Sequence, residues 1–362
     1  MANPIKNLQR TAAEYRQMDS KDQRRFCVDG ILNNALYILM VIFIVYTAIR
    51  NHNFVKPGSI VNIISQAAAY LPIALGIGGC IVLTGTDLSA GRVVGLSAAV
   101  SAALLQSPDW TNKIFKFLPD LPMAAYIVIA IFAVMIVGSI VGFINGFFVA
   151  KFSLHPFIVT LATQLITYGV ILLFFMIGTN NGQPLSGLSQ EYKDFVTGSM
   201  LKFDGNVNVP WYVLYAVLMV IVMWFIWNKT TFGKNMFAVG SNAEAANVSG
   251  VNVFKTTVLV HTLAGLMYGL TGFVEAARIS SINQSTGLNY ECDAIAACVI
   301  GGVSFVGGTG KISGIVIGVF VLRIIFVALN MLSIDPNMQY IIKGLIILAA
   351  CSLDMRKYLV RK

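Results

Sequence analysis

The chain has 362 residues, 57% hydrophobic and 11% charged, where a soluble domain carries about 25% charged residues. No soluble fold hides that much apolar surface, so the composition excludes a water-soluble enzyme or binding module and requires an all-α polytopic membrane protein. The formal net charge of +9 does not point to nucleic acid, because the basic residues sit at the ends of apolar runs, where membrane orientation places them.

The first thirty residues are polar and of mixed charge, without the early basic region and short apolar core of a cleaved signal. They are expected to form a cytoplasmic extension. A bilayer crossing needs about 20 apolar residues, and the candidate spans in chain order are 31–49, 60–83, 90–106, 122–150, 157–177, 210–228, 256–277, 291–306, 312–332 and 338–354. The regions 90–106 and 312–332 are rich in Gly and Ser, and 291–306 is short and opens on Glu291 and Asp293. Ten spans define a membrane domain over 31–354 and leave 355–362 as a tail. With the N-terminus inside, 16 of the 25 Lys and Arg residues fall on inner segments and 7 on outer ones. Both termini and the 229–255 loop are therefore expected in the cytoplasm, with 178–209 as the longest outer loop. Even parity allows two five-span halves of opposite orientation split near that loop, an arrangement transporters use.

Gly138, Gly142 and Gly146, then Gly265 and Gly269, then Gly310, Gly314 and Gly318 recur at four-residue spacing. In lipid, such ridges are packing seams that let helix backbones approach closely.

The 231–250 segment is polar within an otherwise apolar chain. Ser241 and Glu244 have the S-x-x-E spacing of a capping box, and Gly250 suits a left-handed stop. Residues 242–249 thus read as a short bounded helix outside the bilayer, either a handle for another protein or an ordinary loop helix.

No catalytic constellation is visible, and His52, His155 and His261 stand at no metal-ligand spacing. The five cysteines, at 27, 80, 292, 298 and 351, read as unpaired packing residues. Gly307-Gly-Thr-Gly-Lys311 resembles a nucleotide loop but has Phe305 and Ile312 where Gly and Ser or Thr are needed. Any ATP must then be bound by another subunit. Two Gly-rich turns, 85–92 and 301–310, lie at the inner boundary, where irregular backbone must be buried or line a wet cavity. Asp87 suits a cap on the following helix; lining a polar path is the alternative. Glu275, Arg278, Glu291 and Asp293 are expected around the outer mouth, as interfacial charges or as polar groups meeting a solute or docking protein. Arg323 falls near mid-span, where an unpaired charge costs about 2.5–3.5 kcal/mol, so it must face the protein interior or a cavity, unless the span boundaries differ. His261 reads as a packing residue rather than a proton relay.

These residues carry a family resemblance. Glu244-Ala-Ala-x-x-x-Gly250 is similar to the EAA loop of ABC import permeases. Gly85-Thr-Asp-Leu-Ser-Ala-Gly91, Pro156-Phe-Ile-Val-Thr160, the 231–242 stretch and the stretch from Asp293 to Ser304 resemble the ribose/xylose/galactoside branch of that family. The 85–92 and 290–298 motifs lean toward its galactoside subgroup, and Arg323 and the 178–209 loop depart from the pattern. The resemblance covers residue 31 to the C-terminus. It implies a bacterial inner-membrane permease for a monosaccharide: galactose, a methyl galactoside or glucose. The chain would hold no cofactor, with ATP and Mg bound by a partner ATPase. The implied partners are that ATPase, an extracytoplasmic sugar-binding protein, a second permease copy and membrane lipid. It also implies that Gly233, Asn242, Glu244, Ala245, Ala246 and Gly250 couple to the ATPase, and that Asp87, Ser89, Glu291 and Asp293 belong to the translocation path or its gates. A permease for another sugar or for branched-chain amino acids, and an ion-coupled secondary transporter, are the competing readings.

Overall fold

In a computed structural model the described residues are Gln23, 35–116, 119, 121–178, 180–203 and 207–359. The 1–30 extension, Gln23 apart, and the end of the tail lie outside them, as does Cys27. The helices are α1 (Ala35–Arg50), α2 (Pro57–Val82), α3 (Ala90–Leu104), α4 (Met123–Phe152), α5 (Pro156–Phe175), α6 (Gln190–Thr197), α7 (Trp211–Lys229), α8 (Thr231–Ser241), α9 (Ala243–Val248), α10 (Val253–Ile279), α11 (Tyr290–Ile300), α12 (Ile312–Met331) and α13 (Pro336–Leu359). A two-stranded antiparallel hairpin, β1 (Ser199–Phe203) and β2 (Val207–Pro210), sits between α6 and α7.

Among the described residues six helices are long and apolar enough to cross a membrane: α2, α4, α5, α7, α10 and α12. Each of the ten expected spans falls on a helix, but two are shorter than expected. The 90–106 region is the 15-residue α3, and 291–306 contains only the 11-residue α11. Both are buried and are reached by non-helical turns, 83–89 and 280–289. At 1.5 Å rise per residue neither can span a bilayer core of about 30 Å. They are half-helices held inside protein, the setting in which irregular backbone is tolerated at membrane depth.

The glycine ridges do what their spacing predicts. A Cβ on Gly138 would stand 2.1 Å from the Gly265 carbonyl oxygen, and one on Gly269 would stand 2.2 Å from that of Val134. Glycines on both helices thus let α4 lie directly on the α10 backbone. A second seam joins α12 to α11, where a Cβ on Gly318 would fall 1.9 Å from the Ala297 oxygen. The opposite faces of α4, α5 and α7 expose large apolar residues such as Phe132, Leu165 and Ile221, the surface a bilayer covers.

The 178–209 segment carries structure of its own, α6 and the hairpin. Tyr192 on α6 is fully buried and its hydroxyl donates to the Phe273 carbonyl. Burial holds that phenol's pKa well above the ordinary range. Leu185 and Ile282 exchange backbone hydrogen bonds of 2.7 and 2.9 Å, tying this loop to the turn that feeds α11.

Candidate functional site

The polar segment forms two helices at right order and one sharp break. Thr230 caps α8 by accepting from Gly233 N at 3.1 Å. Gly233 is needed for closeness, since a Cβ there would meet the Trp227 carbonyl at 2.2 Å. The expected capping box does not form. Ser241 is still helical as the last residue of α8, and its hydroxyl donates to Phe237 O. Asn242, in extended conformation, is the cap of α9 instead, accepting from Ala245 N at 2.9 Å. Two cap-forming residues stand side by side, and the extra turn of α8 decides between them. Gly250 ends the unit at φ +86° with Val251 N donating to Ala246 O. Within α9, Ala246 is buried against the protein while Glu244 and Ala245 are exposed. A shallow cavity of ≈ 530 Å³ lies beside Glu244, Asn247 and Phe254.

The α8–α9 unit packs on the membrane domain through backbone. A Cβ on Gly240 would lie 1.9 Å from the Val82 oxygen at the end of α2. The same oxygen accepts from Gly308 N at 2.9 Å. Gly307 and Gly308, at φ +89° and +67°, fold the 301–310 turn onto Gly240, Ser241 and Thr84. The 301–310 turn therefore meets both α8 and the end of α2. Backbone contacts thus join α8, which precedes α9, to the end of α2 and to the turn leaving α11.

Asp87 and Ser89 are fully buried. Asp87 Oδ1 accepts from Ser89 N at 2.9 Å and Ser89 Oγ at 2.6 Å, so it closes the turn one residue before α3 rather than capping the helix itself. Ser89 Oγ accepts from Asn145, whose carbonyl oxygen accepts from Thr163 at 2.7 Å. One polar chain thereby pins the turn before α3 to both α4 and α5. Cys80, Asp87 and His261 bring their ligand atoms within 4.8 Å of one another, a grouping that sequence spacing does not reveal. His261 is buried with Nδ1 3.6 Å from Cys80 Sγ. Cys80, Cys292 and Cys298 are free thiols.

The four charges expected as one outer cluster are divided. Arg278 makes a two-pronged pair with Glu275, at 2.8 Å for each contact, and Tyr290 donates to the same carboxylate. Glu291 packs against Gly91, where a Cβ would stand 2.0 Å from its Oε2. Asp293 is paired separately, with one oxygen 2.7 Å from Arg323 and the other 2.7 Å from Lys343. Arg323 is thus paired inside the protein, and its guanidinium also stacks 3.8 Å over Tyr70. Asp293 ties the half-helix α11 to both α12 and α13.

Sequence reasoning missed Tyr70, Tyr290 and Lys343 as members of this cluster. One signal was present: Asn62, Gln66 and Tyr70 form an i, i+4, i+8 polar row on the apolar helix α2.

Comparison with known proteins decides the family. A family model described as a branched-chain amino acid transport system permease component matches residues 59–351. The chain belongs to this permease family. The galactose/methyl galactoside import permease of Escherichia coli (strain K12) is 41% identical over 328 residues, covering 90% of this chain and 95% of that protein. The corresponding permease of Haemophilus influenzae is 39% identical over 334 residues, covering 92% and 97%. The ribose import permease of Bacillus subtilis is more distant, at 33% over 339 residues, covering 93% and 97%. No solved structure matches.

Proposed function

We propose that this chain is the membrane subunit of an ATP-driven importer for a monosaccharide, galactose or a methyl galactoside. The observation that carries the reading is the α8–α9 handle, exposed at Glu244 and bolted by Gly240 to Val82 and the 301–310 turn. Similarity to galactoside permeases over nine-tenths of the chain supports the cargo. In this reading a partner ATPase binds ATP and Mg, grips α9 in the cytosol, and an extracytoplasmic binding protein delivers the sugar. In this reading both termini face the cytosol, which the excess of Lys and Arg on the inner segments supports. Two copies flank the path, each built from two inverted five-helix halves whose half-helices α3 and α11 occupy the third place in each half. Such paired discontinuities mark the substrate route in transporters with inverted repeats.

The mechanism follows from the fastening. When the ATPase halves close, α9 moves and α8 carries the motion to the turn behind α11. Asp293 on α11 then shifts against Arg323 and Lys343, changing how α13 sits on the pathway. Glu244→Lys tests the reading: it should insert normally, lose ATPase in co-purification and lose uptake. Normal uptake by that variant would overturn the proposed coupling.

A further inference from the structure

A cavity of ≈ 250 Å³ opens between α2, α12 and α13, with Gln66, Asp293, Arg323, Gln339 and Lys343 among its walls. Its chemistry is mixed in a particular way. The amide nitrogen of Gln66 is engaged with Asn62, and that of Gln339 with Asn330 and the Ile334 carbonyl. Both amide carbonyl oxygens are therefore left to accept, beside the Asp293 carboxylate. Arg323 Nε is a buried donor with no hydrogen-bond partner, an exception to the rule that buried polar groups are paired. Lys343 Nζ supplies further donors, 5.4 Å from the ring of Tyr340. Tyr340 itself is 60% exposed and offers an aromatic face.

Alternating donors and acceptors suit hydroxyl groups, each of which both donates and accepts. An anion would meet Asp293 and two carbonyl oxygens as well as the cations. The volume lies just under the roughly 300–1,000 Å³ of pockets for drug-sized ligands, which leaves room for one sugar ring and not two. The aromatic face of Tyr340 complements the C–H face of such a ring.

We propose that this cavity is a low-affinity subsite for one neutral monosaccharide within the permease itself, so that the membrane subunit contributes to sugar selection. The proposal rests on the sugar-importer reading but is tested apart from it. The full chain, with its ATPase, is placed in lipid nanodiscs without ATP, and saturation-transfer NMR is recorded with galactose. The wild type should transfer magnetisation to the ring protons. Tyr340→Ala, which removes an exposed ring, and Gln339→Ala, which removes an acceptor, should each weaken binding about fivefold, the value of one lost hydrogen bond or contact. Galacturonate should compete less well than galactose. Absence of transfer in the wild type, unchanged transfer in both variants, or stronger binding of galacturonate would each overturn the proposal. Failure of ATP-driven uptake by the assembled wild type would count against the importer reading alone, because the NMR signal requires no ATP.

Discussion

Replacing Asp293 by Asn removes one charge and leaves two cations facing each other. Its oxygens stand 2.7 Å from both Arg323 and Lys343, whose side chains are 7% and 20% exposed. Removing one partner of a buried ion pair costs about 3–5 kcal/mol, and an unpaired Arg at mid-bilayer costs about 2.5–3.5 kcal/mol. Lys343 borders the cavity and reaches water, so its share is small. Arg323 keeps the Tyr70 ring at 3.8 Å, which offsets part of its loss. The net expectation is about 3 kcal/mol, and at about 2 °C per kcal/mol for a large domain the Tm should fall by about 6 °C. A thiol-reactive fluorophore can follow unfolding, because Cys80 and Cys298 are free and fully buried. Adding Arg323→Gln to Asp293→Asn should recover most of the loss, since the two sites share one interaction. A fall of less than about 1 °C in the single variant, or additive losses in the double, would refute the account of Asp293 as a buried hub.

Three further outcomes follow from other contacts. Gly240→Val should cut sugar uptake per ATP hydrolysed about tenfold or more, because its Cβ would meet the Val82 carbonyl at 1.9 Å and push α8 off the domain; transport stoichiometry in proteoliposomes checks this. Asn145→Ala should lower the Tm by about 2–6 °C, as Ser89 and Thr163 lose their shared buried partner. Gly138→Leu should yield little folded protein in detergent by size-exclusion chromatography, since even its Cβ would stand 2.1 Å from the Gly265 carbonyl.

The membrane class, the helix positions and the α4–α10 seam were legible because each depends on local composition or on a four-residue repeat. The short helix α9 was legible too, although its cap moved from Ser241 to Asn242: the sequence offers two good caps, and only the length of α8 selects one. The half-helices were harder to see. Apolar residues continue past Ile300 as Val303, Phe305 and Val306, so hydropathy runs on where the helix stops at Gly301 and Gly302. The Asp293–Arg323–Lys343 hub joins residues far apart in sequence on three different helices, and no periodicity within one helix can announce it. The failed nucleotide loop at 307–311 proved informative for another reason. Gly307 and Gly308 adopt positive φ and reach Gly240 and Ser241.

The central claim is that ATP hydrolysed by a partner drives sugar through this chain by way of α9. Reconstitution of the chain with its ATPase and sugar-binding protein in liposomes, with radiolabelled galactose supplied on the binding-protein side, tests it most directly. The account predicts uptake that requires ATP, the ATPase and the binding protein together, and that Glu244→Lys abolishes. Galactose uptake by the chain alone under an ion gradient, without ATPase, would contradict it.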